Sequence, residues 1–98
     1  MGAEHGGEPT PTVLEEAADI TAGSRQELYG HPRDNHGSTA QLWGAYLTRR
    51  FGREIPLDAR DVCIMQVLLK VSRDANERKR DNLVDICGYA RNAEMLEE

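Results

Sequence analysis

The chain has 98 residues, of which 39% are hydrophobic, 30% charged and 5% aromatic. That length allows one domain with one core, small enough that self-association would add usefully to its stability. Of the 17 acids, Glu4, Glu8, Glu15, Glu16 and Asp19 precede the first base. The remaining twelve are matched by the twelve Lys and Arg residues, so the net charge of -5 is an N-terminal property.

Arg49-Arg50 and Arg78-Lys79-Arg80 are local basic clusters rather than a polybasic face, which argues against a nucleic-acid binder. No apolar run reaches the roughly 18 residues of a membrane span, and no charged-then-apolar leader opens the chain. The expectation is a cytosolic protein. Cys63 and Cys87 lack the paired spacing of metal knuckles or redox sites and read as reduced core residues. His5, His31 and His36 lack the two-histidine spacing beside an acid that would mark a zinc site.

In chain order, residues 1–11 are rich in Gly, Pro, Glu and Thr with no apolar periodicity, which predicts a disordered tail ahead of a single helical domain over 12–98. Thr12 and Glu15 have capping-box spacing, with Val13, Leu14, Ala17, Ala18 and Ile20 behind them, so a first helix is expected from Val13 to about Ala22, stopped by Gly23. Residues 24–35 hold Gly30, Pro32 and the polar run Arg33-Asp34-Asn35, and read as a long loop after a short helical turn near Gln26. A second helix is expected from Ser38 to about Phe51, its aromatic residues forming core and Gly52 ending it.

Pro56 breaks the chain and Asp58 is a good N-cap, with Asp61 placed three residues on. The third helix follows to about Ala75. Val62, Cys63, Ile64, Met65, Val67, Leu68, Leu69 and Val71 cover most of its wheel, so it is expected at the centre of the bundle. Gln66, Lys70 and Arg73 form a polar stripe along it that must face water, carboxylates of the next helix, or an anion. The fourth helix starts near Arg80, after a connection short enough to require an antiparallel neighbour. At about 100° per residue, Leu83, Ile86, Cys87, Ala90 and Ala93 gather on one side of it and Asp81, Asp85, Tyr89 and Asn92 on the other. The fold expected is all-α, a compact bundle of about four helices, self-associated as a homodimer or larger oligomer.

Two stretches concentrate groups able to do chemistry. The loop offers Tyr29, His31, Arg33, Asp34 and Asn35, since loops held between rigid helices often carry binding groups; capping by Asn35 or packing by His31 are the plainer readings of those two. The third and fourth helices add Lys70, Arg73, Asp81, Asn82, Asp85 and Tyr89. As plain structure, Asp81 would be an N-terminal helix carboxylate, Asp85 an ion-pair partner and Gly88 a packing notch.

Tyr29-Gly30-His31-Pro32-Arg33-Asp34-Asn35 together with Lys79-Arg80-Asp81-Asn82-Leu83-Val84-Asp85-Ile86-Cys87-Gly88-Tyr89-Ala90 resembles a family of small bacteriophage proteins, over about Leu14 to Met95. That resemblance implies a role in the cytoplasm of an infected bacterium. Asn82-Leu83-Val84-Asp85 is also distantly similar to the acidic motif of the MazG-like all-α nucleotide pyrophosphohydrolases, which hold magnesium against a nucleoside triphosphate. Asn82 stands where that family has a glutamate, and Lys70 and Arg73 stand on the helix that would carry its other acidic pair.

Three expectations follow. As a Mg2+-dependent nucleoside triphosphate pyrophosphohydrolase, the protein would use Asp81 and Asp85 as catalytic and metal-binding acids. As a binding protein, it would keep a pocket for a nucleotide or phosphorylated ligand and lack hydrolysis. As a non-enzymatic partner of a host or phage protein, it would use the same helices as scaffold.

Overall fold

The structure, a computed structural model, describes residues 10–22 and 30–98. Most of the expected tail, the Gly23 stop and the helical turn near Gln26 lie outside the described residues. Four helices make an all-α bundle: α1 Val13–Ile20, α2 Pro32–Phe51, α3 Ala59–Asn76 and α4 Arg80–Met95. α4 packs most extensively on α3 and then on α1, while α2 packs chiefly on α3 and touches α4 at few places. Among the described residues, no helix is long and apolar enough to cross a membrane.

The helix starts follow local chemistry. At α1 the Thr12 hydroxyl accepts from the Glu15 N–H and the Glu15 carboxylate accepts from the Thr12 N–H, and α3 repeats this reciprocal cap with Asp58 and Asp61. Each cap satisfies two donors that the helix cannot satisfy itself. α2 begins six residues earlier than Ser38 because His31 is its cap: the ring Nδ1 accepts from the Arg33 N–H at 3.0 Å, with Pro32 at the first helical position. Proline fits there because that position has no intrahelical N–H bond to lose. Arg33, Asp34 and Asn35 are thus the first turn of a helix rather than a loop.

Two corners fix the angles between helices. Gly52 ends α2 in the left-handed conformation at φ 71, and the returning chain lets the Ile55 N–H donate to the Thr48 hydroxyl at 3.0 Å. The Ile55 carbonyl passes so close to α2 that a Cβ on Gly44 would stand 3.2 Å from it. Between α3 and α4, the Asp74 carboxylate accepts from the Lys79 N–H at 3.1 Å and from the Asn82 amide at 3.3 Å, and that amide also reaches the Glu77 carbonyl. Arg80 ties α4 to α1 through the Glu16 carboxylate and the Pro11 carbonyl.

Burial corrects three expectations. α3 is not encased: Val62 and Cys63 are fully buried, but Ile64, Met65, Leu68, Leu69 and Val71 all stand in water. The second helix is not chiefly core either, since Leu42, Tyr46 and Phe51 are exposed and its buried positions are Pro32, His36, Ala40 and Gly44. Small residues there let α2 approach its neighbours closely, which leaves the bulky ones outside. On α4 the buried residues are Asn82, Val84, Gly88, Ala93 and Met95, whereas Leu83 and Ala90 are exposed. That helix is gripped from two sides, by α3 and α1, so no single stripe describes it.

Candidate functional site

A cleft of about 440 Å³ opens where α1, the start of α2, the inner side of α3 and the middle of α4 meet. Ala17, Ile20, Thr21 and Val84 make an apolar wall, and Asn35, His36, Lys70, Asp85, Tyr89 and Asn92 provide the polar groups. Gly30 lies at its rim with φ 80, a backbone conformation that a side chain would strain. Gly88 lies on the α4 side, where an added Cβ would meet the Thr21 methyl at 3.7 Å, an ordinary contact. Volumes of this order, with mixed walls, are those of small-molecule sites.

Lys70 is the cation of the cleft. Its Nζ lies 2.9 Å from Asp85 Oδ2, and its side chain is only 15% exposed against 38% for Asp85. Of the three destinations open to the α3 polar stripe, Lys70 takes the carboxylate of the next helix, while Arg73 one turn on is exposed. Lysine suits a half-buried position because its ammonium has three donors, so one carboxylate leaves bonding capacity for a second acceptor.

His36 closes the far side. Asn92 Nδ2 lies 3.2 Å from its Nε2, and the Tyr89 ring meets it edge-on with centroids 6.0 Å apart. Burial pushes the imidazole pKa down, so the neutral ring is favoured. A neutral ring with its proton on Nδ1 accepts the Asn92 amide hydrogen, which fixes both side chains. The start of α2 is not an open anion site: the Arg33, Asp34 and Asn35 N–H groups are all bonded to His31, the first through its ring and the others through its carbonyl.

Of the residues expected to form a site, the cleft gathers Asn35, Lys70, Asp85 and Tyr89. His31 is the α2 cap, Arg33 and Asp34 are exposed in the first α2 turn, and Tyr29 lies outside the described residues. Asn82 is turned into the α3–α4 corner, and Asp81 is exposed on α4 away from the cleft. His36 and Asn92 were missing from the expected site. Their spacing carried the signal: Asn92 lies seven residues after Asp85 and four after Gly88 on α4, and His36 lies four after Pro32 on α2.

The donor set does not fit a magnesium ion. Asp85 is held by an ammonium, Asp81 does not converge on it, and among the described residues no three His, Cys, Asp or Glu side chains are grouped to hold a metal. Magnesium requires several oxygen ligands in octahedral order.

The family model described as a domain of unknown function, DUF6378, matches residues 12–97. The chain belongs to that family. It is 39% identical over 80 residues to the Gene 55 protein of Mycobacterium phage L5, a match covering 81% of this chain and 48% of that protein. With the Gene 55 protein of Mycobacterium phage D29 it shares 33% identity over 88 residues, 89% of this chain and 54% of that protein. The chain thus spans about half the length of these phage relatives. No solved structure matches it. Asn82 itself serves the α3–α4 corner and not the cleft.

Proposed function

We propose that this small phage-family protein binds a phosphorylated small molecule in the cleft, a nucleotide being the first candidate, and does not hydrolyse it. The observation that carries this reading is Lys70, a lysine whose side chain is only 15% exposed yet lines an open cleft, with Asp85 against it. A phosphate oxygen would take the ammonium, the Asn35 and Asn92 amides would donate to further oxygens or to a ring, and Tyr89 with the apolar wall would cover a flat group. A pyrophosphohydrolase is less well supported because Asp85 and Asp81 do not converge and, among the described residues, no metal-binding group of acids accompanies them. The setting proposed is the cytoplasm of an infected bacterium.

The test is calorimetry and thermal shift with nucleoside mono-, di- and triphosphates and with pyrophosphate, alongside phosphate-release assays in Mg2+. Binding that is lost in Lys70→Met, with no release, supports the reading. No binding by any of these ligands overturns it, and release abolished by Asp85→Asn replaces it with the hydrolase.

A second observation favours self-association. The outward face of α3 carries Ile64, Met65, Leu68, Leu69 and Val71, between 37% and 61% exposed. A second copy of this chain suits that face. Two α3 helices crossing antiparallel about Leu68 would set the acidic first turn at Asp61 of one near the basic last turn at Arg73 of the other. A host or phage protein on the same face is the alternative outcome, read as a monomer in isolation.

A further inference from the structure

Lys70 cannot be an idle receptor, because Asp85 already occupies it. The pair is close, 2.9 Å, and the Lys70 side chain is the less exposed of the two, so Asp85 lies more to the solvent side. The other titratable groups lining the cleft add no positive charge: burial favours the neutral form of His36, and Tyr89 is a phenol. Asp74, a carboxylate on the inner side of α3, is turned to the corner, where the Lys79 N–H and the Asn82 amide donate to it. Among the described residues the cleft is therefore nearly balanced in charge, one ammonium against one carboxylate.

We infer that Asp85 is a built-in competitor for the ligand's anionic group, a specificity-determining residue that admits dianionic phosphate and rejects monoanions. This rests on the reading of the cleft as a phosphate site. A monoanion that displaced Asp85 from Lys70 would exchange one single charge for another and leave a carboxylate without its partner, so it gains nothing. A phosphate dianion brings twice the charge and three acceptor oxygens, enough to take the ammonium while Asp85 swings toward water, where its greater exposure already leads. Asp85 in this role neither binds metal nor moves a proton. Its carboxylate sets the threshold that a ligand must exceed, as a state that must be vacated lowers apparent affinity by its own population.

The experiment measures binding of pyrophosphate and of acetate, without divalent metal, to the wild type, Asp85→Asn, Asp85→Ser and Lys70→Met, with helicity and melting recorded for each. The expected result is pyrophosphate binding to the wild type, tightened about tenfold in Asp85→Asn and Asp85→Ser, with acetate becoming measurable in both. Folded Asp85 variants that bind pyrophosphate no better than wild type overturn the competitor while leaving the phosphate site intact. Failure of pyrophosphate to bind any protein, including the Asp85 variants, removes the site itself and the competitor with it. Should neither Asp85 variant fold, the wild type still decides: acetate competing with pyrophosphate at similar concentrations overturns the inference, and pyrophosphate bound unaffected by a hundredfold excess of acetate supports it.

Discussion

The two faces of α3 are dressed the wrong way round for a protein alone in water. The side toward α2 and α4 carries Gln66, Lys70 and Asp74 among Val62, Cys63 and Val67, whereas the side toward solvent carries Ile64, Met65, Leu68, Leu69 and Val71. An amphipathic helix ordinarily buries its apolar stripe. Here Lys70 turns inward to pair with Asp85, and the apolar face is exposed. The contrast separates two jobs: the inner face spends burial on polar groups that a ligand can use, and the outer face retains apolar surface that another chain can cover. Contiguous exposed apolar surface of this kind marks interaction sites more often than ordinary surface.

The sharpest way to break that contrast is to charge the outer face. Leu68→Glu, at the centre of the stripe, is expected to abolish self-association outright while leaving helicity and ligand binding unchanged, because Leu68 is 61% exposed within one chain. Light scattering coupled to size exclusion reads the mass. Wild type and variant running alike as monomers would remove the second copy from the outer face. The matching change on the inner side, Val62→Ala, acts within the chain: Val62 is fully buried, and the substitution is expected to cost about 1–3 kcal/mol in denaturant unfolding. An equal cost for Val71→Ala, half-exposed on the outer face, would mean that this face is covered under the conditions of the measurement.

A smaller effect tests the corner that holds α2 against α3. Gly44→Ala is expected to destabilise by about 1 kcal/mol, since the new Cβ would press on the Ile55 backbone at 3.2 Å and the helix must shift. Gly88→Ala on the cleft side meets only an ordinary contact with Thr21, and the helix-favouring alanine should make it neutral or mildly stabilising. Paired melting curves of the two variants check the direction. If Gly44→Ala proves as harmless as Gly88→Ala, the close α2 approach is not needed.

Helix existence was legible because caps and breakers are local. Thr12 with Glu15, Asp58 with Asp61 and the Gly52 stop each act within one turn, and all three are where the spacing puts them. The α2 start was missed because a histidine cap followed by proline resembles a loop: Pro32 and the polar Arg33-Asp34-Asn35 suit both, and only the His31 ring bond decides. Which face of α3 is inside was legible only as alternatives, the carboxylates of the next helix being one of the three destinations open to its polar stripe. Periodicity shows that Lys70 and Gln66 share a side, but that side also carries the fully buried Val62 and Cys63, and the partner of Lys70, Asp85, lies fifteen residues on in another helix. The cleft was half legible for the same reason. Asn35, Lys70, Asp85 and Tyr89 were picked out by their chemistry, while the pairing of His36 with Asn92 needs α2 and α4 to meet.

The mildest test concerns the far wall of that cleft, and its sign is fixed by linkage. Burial lowers the His36 pKa below its ordinary value of 6.5, so in the acidic range the unfolded chain binds a proton that the folded one refuses. Stability from this source is complete above about pH 6.5 and falls as the pH drops through the range between the unfolded and the lower folded pKa. Protonation would also remove the Nε2 acceptor of the Asn92 amide, which works in the same direction. Denaturant unfolding at stepped pH should therefore show a decline below about pH 6.5 that is absent from His36→Gln, whose side chain does not titrate there. Phosphate affinity should weaken over the same range, because the dianion that the cleft selects takes up a proton at about pH 6. A stability profile that is identical in His36→Gln would mean that His36 titrates alike in both states, and the cleft would then be wetter than its walls indicate.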